Sequence, residues 1–374
     1  MRFVLFVHSL VSDWNHGNAH FLRGIVRALQ ARGHQVRTFE PLDSWSRSNL
    51  LAERGEIALR RFARRFPDLE PLTYGSDGPD LDAALDGADV VLVHEWNAPA
   101  LIARLGRHRR NGGRYRLLFH DTHHRSVTDA DAMRALDLDG YDGVLAFGAA
   151  VREAYRRQGW ARRAWVWHEA ADTSVFRPYP EETADGDLVW VGNWGDDERT
   201  AELREFLLEP VRSLGLRARI HGVRYPEAAR RELADAGIAY GGWLANADVP
   251  RTFARHRVTV HVPRRPYVEA LAGVPTIRVF EALACGIPLV CSPWRDIEGL
   301  FRPGTDFLVA EDRAAMTRAL KRVLEDSALA RELAAHGIAT IQARHTCAHR
   351  VEELLSICRE IGAGRPGAEV QEAS

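Results

Sequence analysis

The sequence predicts an α/β protein of two Rossmann-like, doubly wound domains that face each other across a cleft. Short apolar runs, of the kind buried on both faces of a parallel sheet, alternate with helical periodicity along most of the 374 residues. A polar stretch with two prolines, at 172–186, interrupts this alternation and reads as a linker, after which the alternation begins again. A prior of about 150 residues per domain also suggests two domains.

The predicted first domain covers residues 1–171. An apolar helix face, from Phe21 to Leu29, follows the first strand and its loop and ends at Gly33. Residues 43–80 show no clear pattern beyond an arginine-rich segment, RRFARRF, that predicts a helix with a polar face. Buried strands are predicted at 3–7, 36–39, 89–94, 115–121, 143–147 and 165–168.

The predicted second domain covers residues 187–345. A C-terminal helix at 346–362 follows, which could cross back to the first domain, and then a disordered tail at 363–374. Further helices are expected near 203–207, 227–236, 253, 313–324 and 328–336. Strands are predicted at 187–193, 217–222, 238–244, 258–262, 287–291 and 307–309.

Composition narrows the class of protein. Hydrophobic residues make up 46% and charged residues 27%, as in soluble globular proteins, and 50 basic against 51 acidic residues do not favour nucleic-acid binding. The four cysteines lack a CxxC pair and are expected to be reduced, which predicts a cytoplasmic protein. No apolar run approaches the roughly 20 residues that span a bilayer. Peripheral membrane contact is compatible with this composition, but nothing indicates it.

The segment TIRVFEALACGIPLVC, at 276–291, predicts a helix whose charged side chains and first amide groups lie close together. Thr276 is placed as N-cap, Ile277 begins the inward face, and Gly286 is placed to end the helix. Arg278 and Glu281 lie three residues apart and project from the same side. They form either a surface ion pair that contributes little to stability, or part of a ligand site in which the first helix amides would bind an anion.

Lysine is almost absent, since Lys321 is the only one in the chain. A phosphate site must therefore be built from arginine, histidine or backbone amides.

Two segments of the first domain are candidates for chemistry because they follow strands. The loop with His16, Gly17 and Asn18 follows the first strand and is either a ligand loop or a flexible turn. His120 and Asp121 close a later strand, where they are either functional or a helix-capping aspartate beside a solvated histidine. The adjacent pair at 123–124 lacks an established metal-ligand spacing, so no metal site is predicted.

These residues carry a resemblance to a known family. EAADTSVFRP resembles the inter-domain segment of group-1, family-4-type glycosyltransferases, and VFEALACGIPLVCS resembles their donor-binding helix. VWVGNW, IRVFEALACG and LFRPGTDFLV are similar to the subgroup named for spore-maturation proteins. The resemblance covers the second domain well and the first loosely, and it implies a GT-B fold.

The resemblance also implies roles for individual residues. Glu281 matches the second of two family glutamates and would hold the ribose hydroxyls of a nucleotide. Gly273 stands at the position of the first, which touches the donor sugar. The subgroup lacks that glutamate too. His120 and Asp121 resemble the family's His-Asp pair, whose histidine contacts the donor sugar.

The remaining implied contacts concern the donor and the acceptor. Gly17 and Asn18 would lie by the donor phosphate and the acceptor. Trp243 and Leu244 match the place where backbone reads the base, although Trp243 could equally cover a core edge. Asn193 and Trp194 follow a strand that faces the cleft, and the diphosphate candidates are Arg199, Arg264, Arg265 and Arg278.

The predicted function is therefore a metal-independent glycosyltransferase that needs no cofactor. It would move a sugar from a nucleotide-diphosphate sugar, with UDP preferred, to an unidentified acceptor in bacterial glycan biosynthesis. Retention of configuration is the family expectation; an inverting enzyme would use Asp121 or His120 as general base. Two alternatives remain open, a nucleotide-sugar 2-epimerase and a catalytically silent nucleotide- or glycan-binding protein, and Gly273 keeps the silent alternative open.

Overall fold

A computed structural model describes residues 1–363, so the predicted tail lies almost entirely outside the described residues. The strands are β1 (Arg2–Phe6), β2 (Gln35–Pro41), β3 (Leu72–Tyr74), β4 (Val90–His94), β5 (Arg116–Asp121), β6 (Gly143–Ala146), β7 (Ala164–Val166), β8 (Gly186–Val191), β9 (Ala218–His221), β10 (Ile238–Tyr240), β11 (His256–His261), β12 (Leu289–Cys291) and β13 (Leu308–Val309).

The helices are α1 (Ala19–Ala31), α2 (Trp45–Arg54), α3 (Ile57–Arg65), α4 (Leu81–Leu85), α5 (Pro99–Arg110), α6 (Arg125–Thr128), α7 (Ala130–Arg134), α8 (Ala149–Gln158), α9 (Thr200–Leu203), α10 (Glu209–Leu214), α11 (Glu227–Asp235), α12 (Val249–Ala254), α13 (Arg265–Glu269), α14 (Ile277–Cys285), α15 (Arg313–Glu325), α16 (Ser327–Arg344) and α17 (Cys347–Glu360). Short 3₁₀ turns lie at Asp196–Glu198 and Asn246–Asp248, and a π-helical turn lies at Arg204–Leu208.

The strands form two fully parallel sheets, which confirms the predicted fold class. The first has the order β3-β2-β1-β4-β5-β6-β7 and the second the order β10-β9-β8-β11-β12-β13. Strand order reverses between β1 and β4 and between β8 and β11. In doubly wound sheets, ligands bind beyond the carboxyl ends of the strands at such reversals. The loops after β1, β4, β8 and β11 therefore lie at the edges where such sheets bind ligands.

The central strands are where the sequence pattern is clearest, because they are apolar throughout. All five residues of β4 are buried, as are the last four of β1. β3 was not predicted. Two of its three residues are exposed, since it lies at the sheet edge, so it lacks the apolar run that marks a buried strand.

The helix α14 begins after Thr276 and ends at Gly286, as predicted. Gly286 has φ 70°, the left-handed conformation that glycine adopts without strain at a helix end. The helix is buried along most of its length, with Phe280 and Leu283 in an apolar core that continues into the first domain. This burial on nearly all sides fixes the direction of its N-terminus.

The last helix, α17, packs against α1 of the first domain. A Cβ added at Gly24 of α1 would lie 2.4 Å from Cys347 Sγ, so glycine permits the close approach of the two helices. The Trp167 indole donates a hydrogen bond to the Arg350 carbonyl at 2.8 Å. The C-terminus of the described chain is thus held by the first domain, although it follows the second.

Candidate functional site

Two cavities open where the strand ends of the two sheets face each other. We call them the arginine cavity, of about 220 Å³, and the tryptophan cavity, of about 700 Å³. The arginine cavity is further lined by Arg199, Arg278, Thr276, Ile277, Trp243 and Leu244. The tryptophan cavity is further lined by Trp14, Trp45, Trp96, Asn18, Asn49 and His123. Both are lined by Asn15, His16, Gly17, Asn193, Arg264 and Tyr267.

The N-terminus of α14 forms one wall of the arginine cavity. Thr276 has extended backbone and does not cap the helix with its side chain; its hydroxyl lies 2.9 Å from His261 Nε2 instead. Burial lowers the pKa of His261 to about 3, so this imidazole stays neutral. The Ile277 amide at this helix end lies by the buried Glu169 carboxylate, and its hydrogen bond opposes the rise that burial causes in the pKa of Glu169. The helix end is therefore oriented as in termini that bind anions, with one amide already partnered.

Arg278 lines the cavity, but Glu281 does not. Glu281 is fully buried, with His20 Nδ1 of α1 at 2.7 Å from its Oε1 and Arg278 bonded to its Oε2. Burial alone would raise the pKa of Glu281, but Arg278 and His20 outweigh it and hold the pKa below its ordinary value. Glu281 therefore fixes Arg278 and joins α14 to the first domain, and its contact with a ribose stays a prediction.

Arg199 is the most distinctive charge in the site. Its guanidinium donates to the Val262 carbonyl at 3.1 Å and to Asn193, and it lies 5.0 Å from the Trp190 ring centroid. Among the side chains that the structure describes, it forms no ion pair with a carboxylate. Burial, and then the neighbouring Arg264, lower its pKa to about 10, which leaves it charged at neutral pH.

Arg264 and Asn193 connect the second domain to the loop after β1. Arg264 donates to Glu198 at 2.6 Å and to Asn193 Oδ1 at 3.2 Å. Asn193 Nδ2 in turn donates to Asn15 Oδ1 of the first domain at 2.6 Å. Asn15 has φ 48°, an uncommon conformation that asparagine tolerates better than most residues. These bonds hold the loop against the second domain.

The same loop touches α14 through glycine. A Cβ added at Gly17 would lie 3.3 Å from Ile277 Cγ2 and 3.9 Å from Arg278 Nη2. Asn18 donates to Thr122 Oγ1 at 2.5 Å, within the first domain. His16 is buried, and burial lowers its pKa well below the ordinary value. The predicted loop thus lies between both cavities.

The two tryptophans proposed for the second domain have different surroundings. Trp243 lines the arginine cavity, and its indole donates to Asp13 Oδ1 of the first domain at 3.1 Å. It also lines a third cavity, of about 680 Å³, between α2, α3 and the segment 243–248. Trp194 is buried in the second-domain core, 5.7 Å from the Tyr225 ring, and lines neither of the first two cavities.

Arg265 is also outside the site. Its guanidinium pairs with Glu202 at 3.3 Å and lines neither cavity. Of the four arginines considered for a diphosphate, the structure brings together Arg199, Arg264 and Arg278.

His120 and Asp121 are fully buried and do not reach the cleft. The His120 ring packs edge-on against Trp167 at 4.8 Å, and burial lowers its pKa to about 3. Asp121 accepts hydrogen bonds from the Tyr155 hydroxyl at 2.9 Å and from the His123 amide at 3.1 Å. Burial raises its pKa well above the ordinary value. Both residues therefore lie beneath the cavity wall, which is formed by the next two residues along the chain.

Gly273 occupies a turn that requires glycine. Its φ is 86°, and an added Cβ would lie 2.4 Å from Ile297 Cγ1. A glutamate at this position would be strained and would clash. The backbone of the loop before α14 therefore favours glycine at the position where the family has a glutamate.

Sequence reasoning missed Asn15, Asp13 and Tyr267. Asp13 accepts from Trp243, from the Asn246 amide at 3.1 Å and from Arg23 at 3.0 Å. Asn15 and Asp13 precede the predicted ligand loop by a few residues, and this nearness is the only available signal for them. Tyr267 follows β11 at the strand reversal, where the fold directs loops towards the cleft.

Comparisons with known proteins address the class of this site. Residues 199–356 match the family model described as glycosyl transferase-like. The chain carries a glycosyl transferase-like domain. This domain includes α14 and all three arginines of the arginine cavity, and with the fold it confirms the predicted enzyme class, glycosyltransferase. The search of curated proteins gave no match.

Solved structures with the same fold align with nearly the whole of this chain. Sucrose-phosphate synthase from Thermosynechococcus elongatus is 17% identical, with TM-score 0.65 over 96% of this chain and 99% of that chain. HepE from Anabaena, in complex with UDP and glucose, is 13% identical, with TM-score 0.66 over 96% and 100%. An alpha-glucosyltransferase with UDP-glucose and DNA containing an abasic site is 11% identical, with TM-score 0.69 over 96% and 99%. These likenesses confirm the GT-B fold.

Within residues 1–363, no helix is both long and apolar enough to span a membrane. Over the same residues, histidine, cysteine and carboxylate side chains form no group of three or more that could hold a metal ion.

Proposed function

We propose that the protein transfers a sugar from a nucleotide-diphosphate sugar, with UDP as the nucleotide, and that the diphosphate binds in the arginine cavity. The observation that carries this proposal is the convergence of Arg199, Arg264 and Arg278 with the N-terminus of α14 on one cavity. Guanidinium groups and helix amides are the donors that bind phosphate without a metal. HepE and the alpha-glucosyltransferase, which share the fold, are solved with UDP or UDP-glucose.

The charges of the cavity favour an anion. Arg264 and Arg278 already have carboxylate partners in Glu198 and Glu281, whereas the partners of Arg199 among the described side chains and backbone are carbonyl and amide oxygens. A partly buried guanidinium without a carboxylate is costly, and an anionic ligand would offset that cost. Arg199 is therefore the residue whose charge a diphosphate would complement most.

The same charges would assist the reaction. As the bond between the anomeric carbon and the diphosphate breaks, negative charge builds up on the departing oxygen, and fixed guanidinium groups stabilise it. We propose that this replaces a metal ion, that no cofactor is required, and that configuration is retained, as the resemblance to family-4-type glycosyltransferases implies. We also propose the domain boundaries predicted above, with the donor on the second domain and the acceptor on the first.

Binding of UDP can be tested by thermal denaturation with a matched control. UDP should raise the melting temperature of the wild type, because a ligand that binds only the native state stabilises it. Arg199→Ala and Arg278→Ala should lose this rise, whereas Arg265→Ala, outside the cavity, should keep it. If neither UDP nor another nucleoside diphosphate raises the melting temperature, the proposal fails.

Turnover separates the enzyme from the two alternatives. A transferase should release UDP slowly from a UDP-sugar even without an acceptor, and Arg199→Ala should abolish this release. Recovery of an epimerised sugar would instead identify an epimerase. UDP binding without release of UDP, over a panel of acceptors, would identify a silent binding protein.

A further inference from the structure

The tryptophan cavity has walls unlike those of the arginine cavity. Three indoles of the first domain, Trp14, Trp45 and Trp96, surround it. Trp45 is 38% exposed, and its ring lies 6.1 Å from that of Trp14 at an interplanar angle of 74°. Arg125 covers Trp96 from 4.3 Å above the ring centroid, which holds that indole in place. Large flat apolar surfaces thus meet the cavity from different directions.

Amide groups accompany these rings. Asn18 uses its Nδ2 to donate to Thr122, and Asn49 uses its Nδ2 to donate to the Trp45 carbonyl at 2.7 Å. Within residues 1–363, neither asparagine uses its Oδ1 in a hydrogen bond, and the Trp45 indole N–H also has no partner. The cavity therefore offers acceptors and a donor next to aromatic faces.

Formal charge is scarce in this wall. None of the residues that line the cavity is an aspartate or glutamate, and its only charged side chains are Arg224 and Arg264. Arg264 is already paired with Glu198. Burial lowers the pKa of His123 to about 2, so its ring is neutral at physiological pH. A cation would find no carboxylate in this wall, and a polyanion would find only two guanidinium groups, far fewer charges than it carries.

We propose that the tryptophan cavity binds the acceptor and that the acceptor is an uncharged saccharide. One face of a pyranose ring exposes C–H groups, and covering it with an indole removes apolar surface from water. The hydroxyl groups around the ring can bond to the free amide oxygens and the Trp45 N–H. This assignment rests on the proposed transferase function.

The shared wall gives the acceptor access to the donor. Six residues line both cavities, among them Gly17 and Tyr267. A hydroxyl oxygen of the saccharide would form the new bond to the anomeric carbon while the bond to the diphosphate breaks. The diphosphate leaves with that electron pair, and its oxygen takes the hydroxyl proton.

A glycan array tests the acceptor class directly. Labelled wild-type protein with UDP is applied to neutral oligosaccharides, to uronic-acid saccharides and to double-stranded DNA. We expect binding to neutral oligosaccharides. Trp45→Ala should weaken this binding about tenfold, which is about 1.4 kcal/mol, and Trp45→Phe, which keeps an aromatic ring, should restore most of it. The control Trp165→Ala, at the half-buried edge strand β7 and outside both cavities, should bind like the wild type.

Other results would overturn the assignment. Binding only to uronic-acid saccharides or to DNA would show a charged acceptor, and binding to none of the probes would exclude a saccharide acceptor. If Trp45→Ala and Trp165→Ala weaken saccharide binding equally, the binding does not depend on the tryptophan cavity. The UDP-induced rise in melting temperature should be unchanged in Trp45→Ala. If that rise is absent from the wild type while neutral saccharides still bind, the donor proposal fails and the saccharide site stands.

Discussion

Replacing His120 with leucine should make the protein more resistant to acid unfolding. Burial lowers the pKa of His120 to about 3, from an ordinary value of 6.5, so the folded protein keeps the ring neutral. Below about pH 6.5 the unfolded chain binds a proton that the folded chain does not, and the free energy of unfolding decreases. For one group with these two pKa values, the loss between about pH 8 and about pH 5 is about 2 kcal/mol.

Urea titrations of wild type and His120→Leu at both pH values measure this loss. Leucine has a similar volume and removes two buried nitrogens that have no hydrogen-bond partner among residues 1–363. The stability of the variant relative to the wild type should therefore increase by about 2 kcal/mol on acidification. His336→Leu, at an exposed site on α16, should show no such increase. Equal pH dependence of wild type and His120→Leu would refute the reasoning.

Three further predictions concern the site. Glu281→Gln should lower the free energy of unfolding by about 2 to 4 kcal/mol, because Arg278 loses the charge of its buried partner. The loss is limited because the Arg278 side chain is 26% exposed and can be solvated. Urea titration measures it, and the exposed Glu325→Gln should cost under about 0.5 kcal/mol. Gly17→Val should weaken UDP binding about tenfold, since its added carbons clash with Ile277; calorimetry measures it, and an unchanged Kd would contradict the contact. Dialysis against EDTA should leave UDP release unchanged if arginines supply the charge, and a loss restored by Mg²⁺ would contradict this.

The sequence was most informative where burial is uniform. Central strands such as β4 consist of apolar residues because both sheet faces are covered, and α14 has a glycine that its ending requires. The edge strand β3 was not predicted, because its exposed residues do not form an apolar run. These elements show that local composition reveals a structure only when packing constrains every position.

The site was harder to predict because a shift of one or two residues changes what a side chain faces. His120 and Asp121 belong to a strand and point into packed layers, while Thr122 and His123 lie in the loop that reaches the cavity. Contacts between domains also have no local signature. The bond from Trp243 to Asp13 joins residues more than two hundred positions apart.

The chain passes between the two domains twice, near Ala171 and near Thr346, and the two segments run side by side there. Ala171 and Thr346 form a parallel bridge, in which Ala171 N donates to the His345 carbonyl and Cys347 N donates to the Ala171 carbonyl, both at 3.0 Å. Because both bonds lie at one point, a rotation of the domains about that point can keep them, whereas pulling the domains straight apart breaks them. Substrate entry and product exit are therefore expected to proceed by a hinge movement whose axis passes through this bridge.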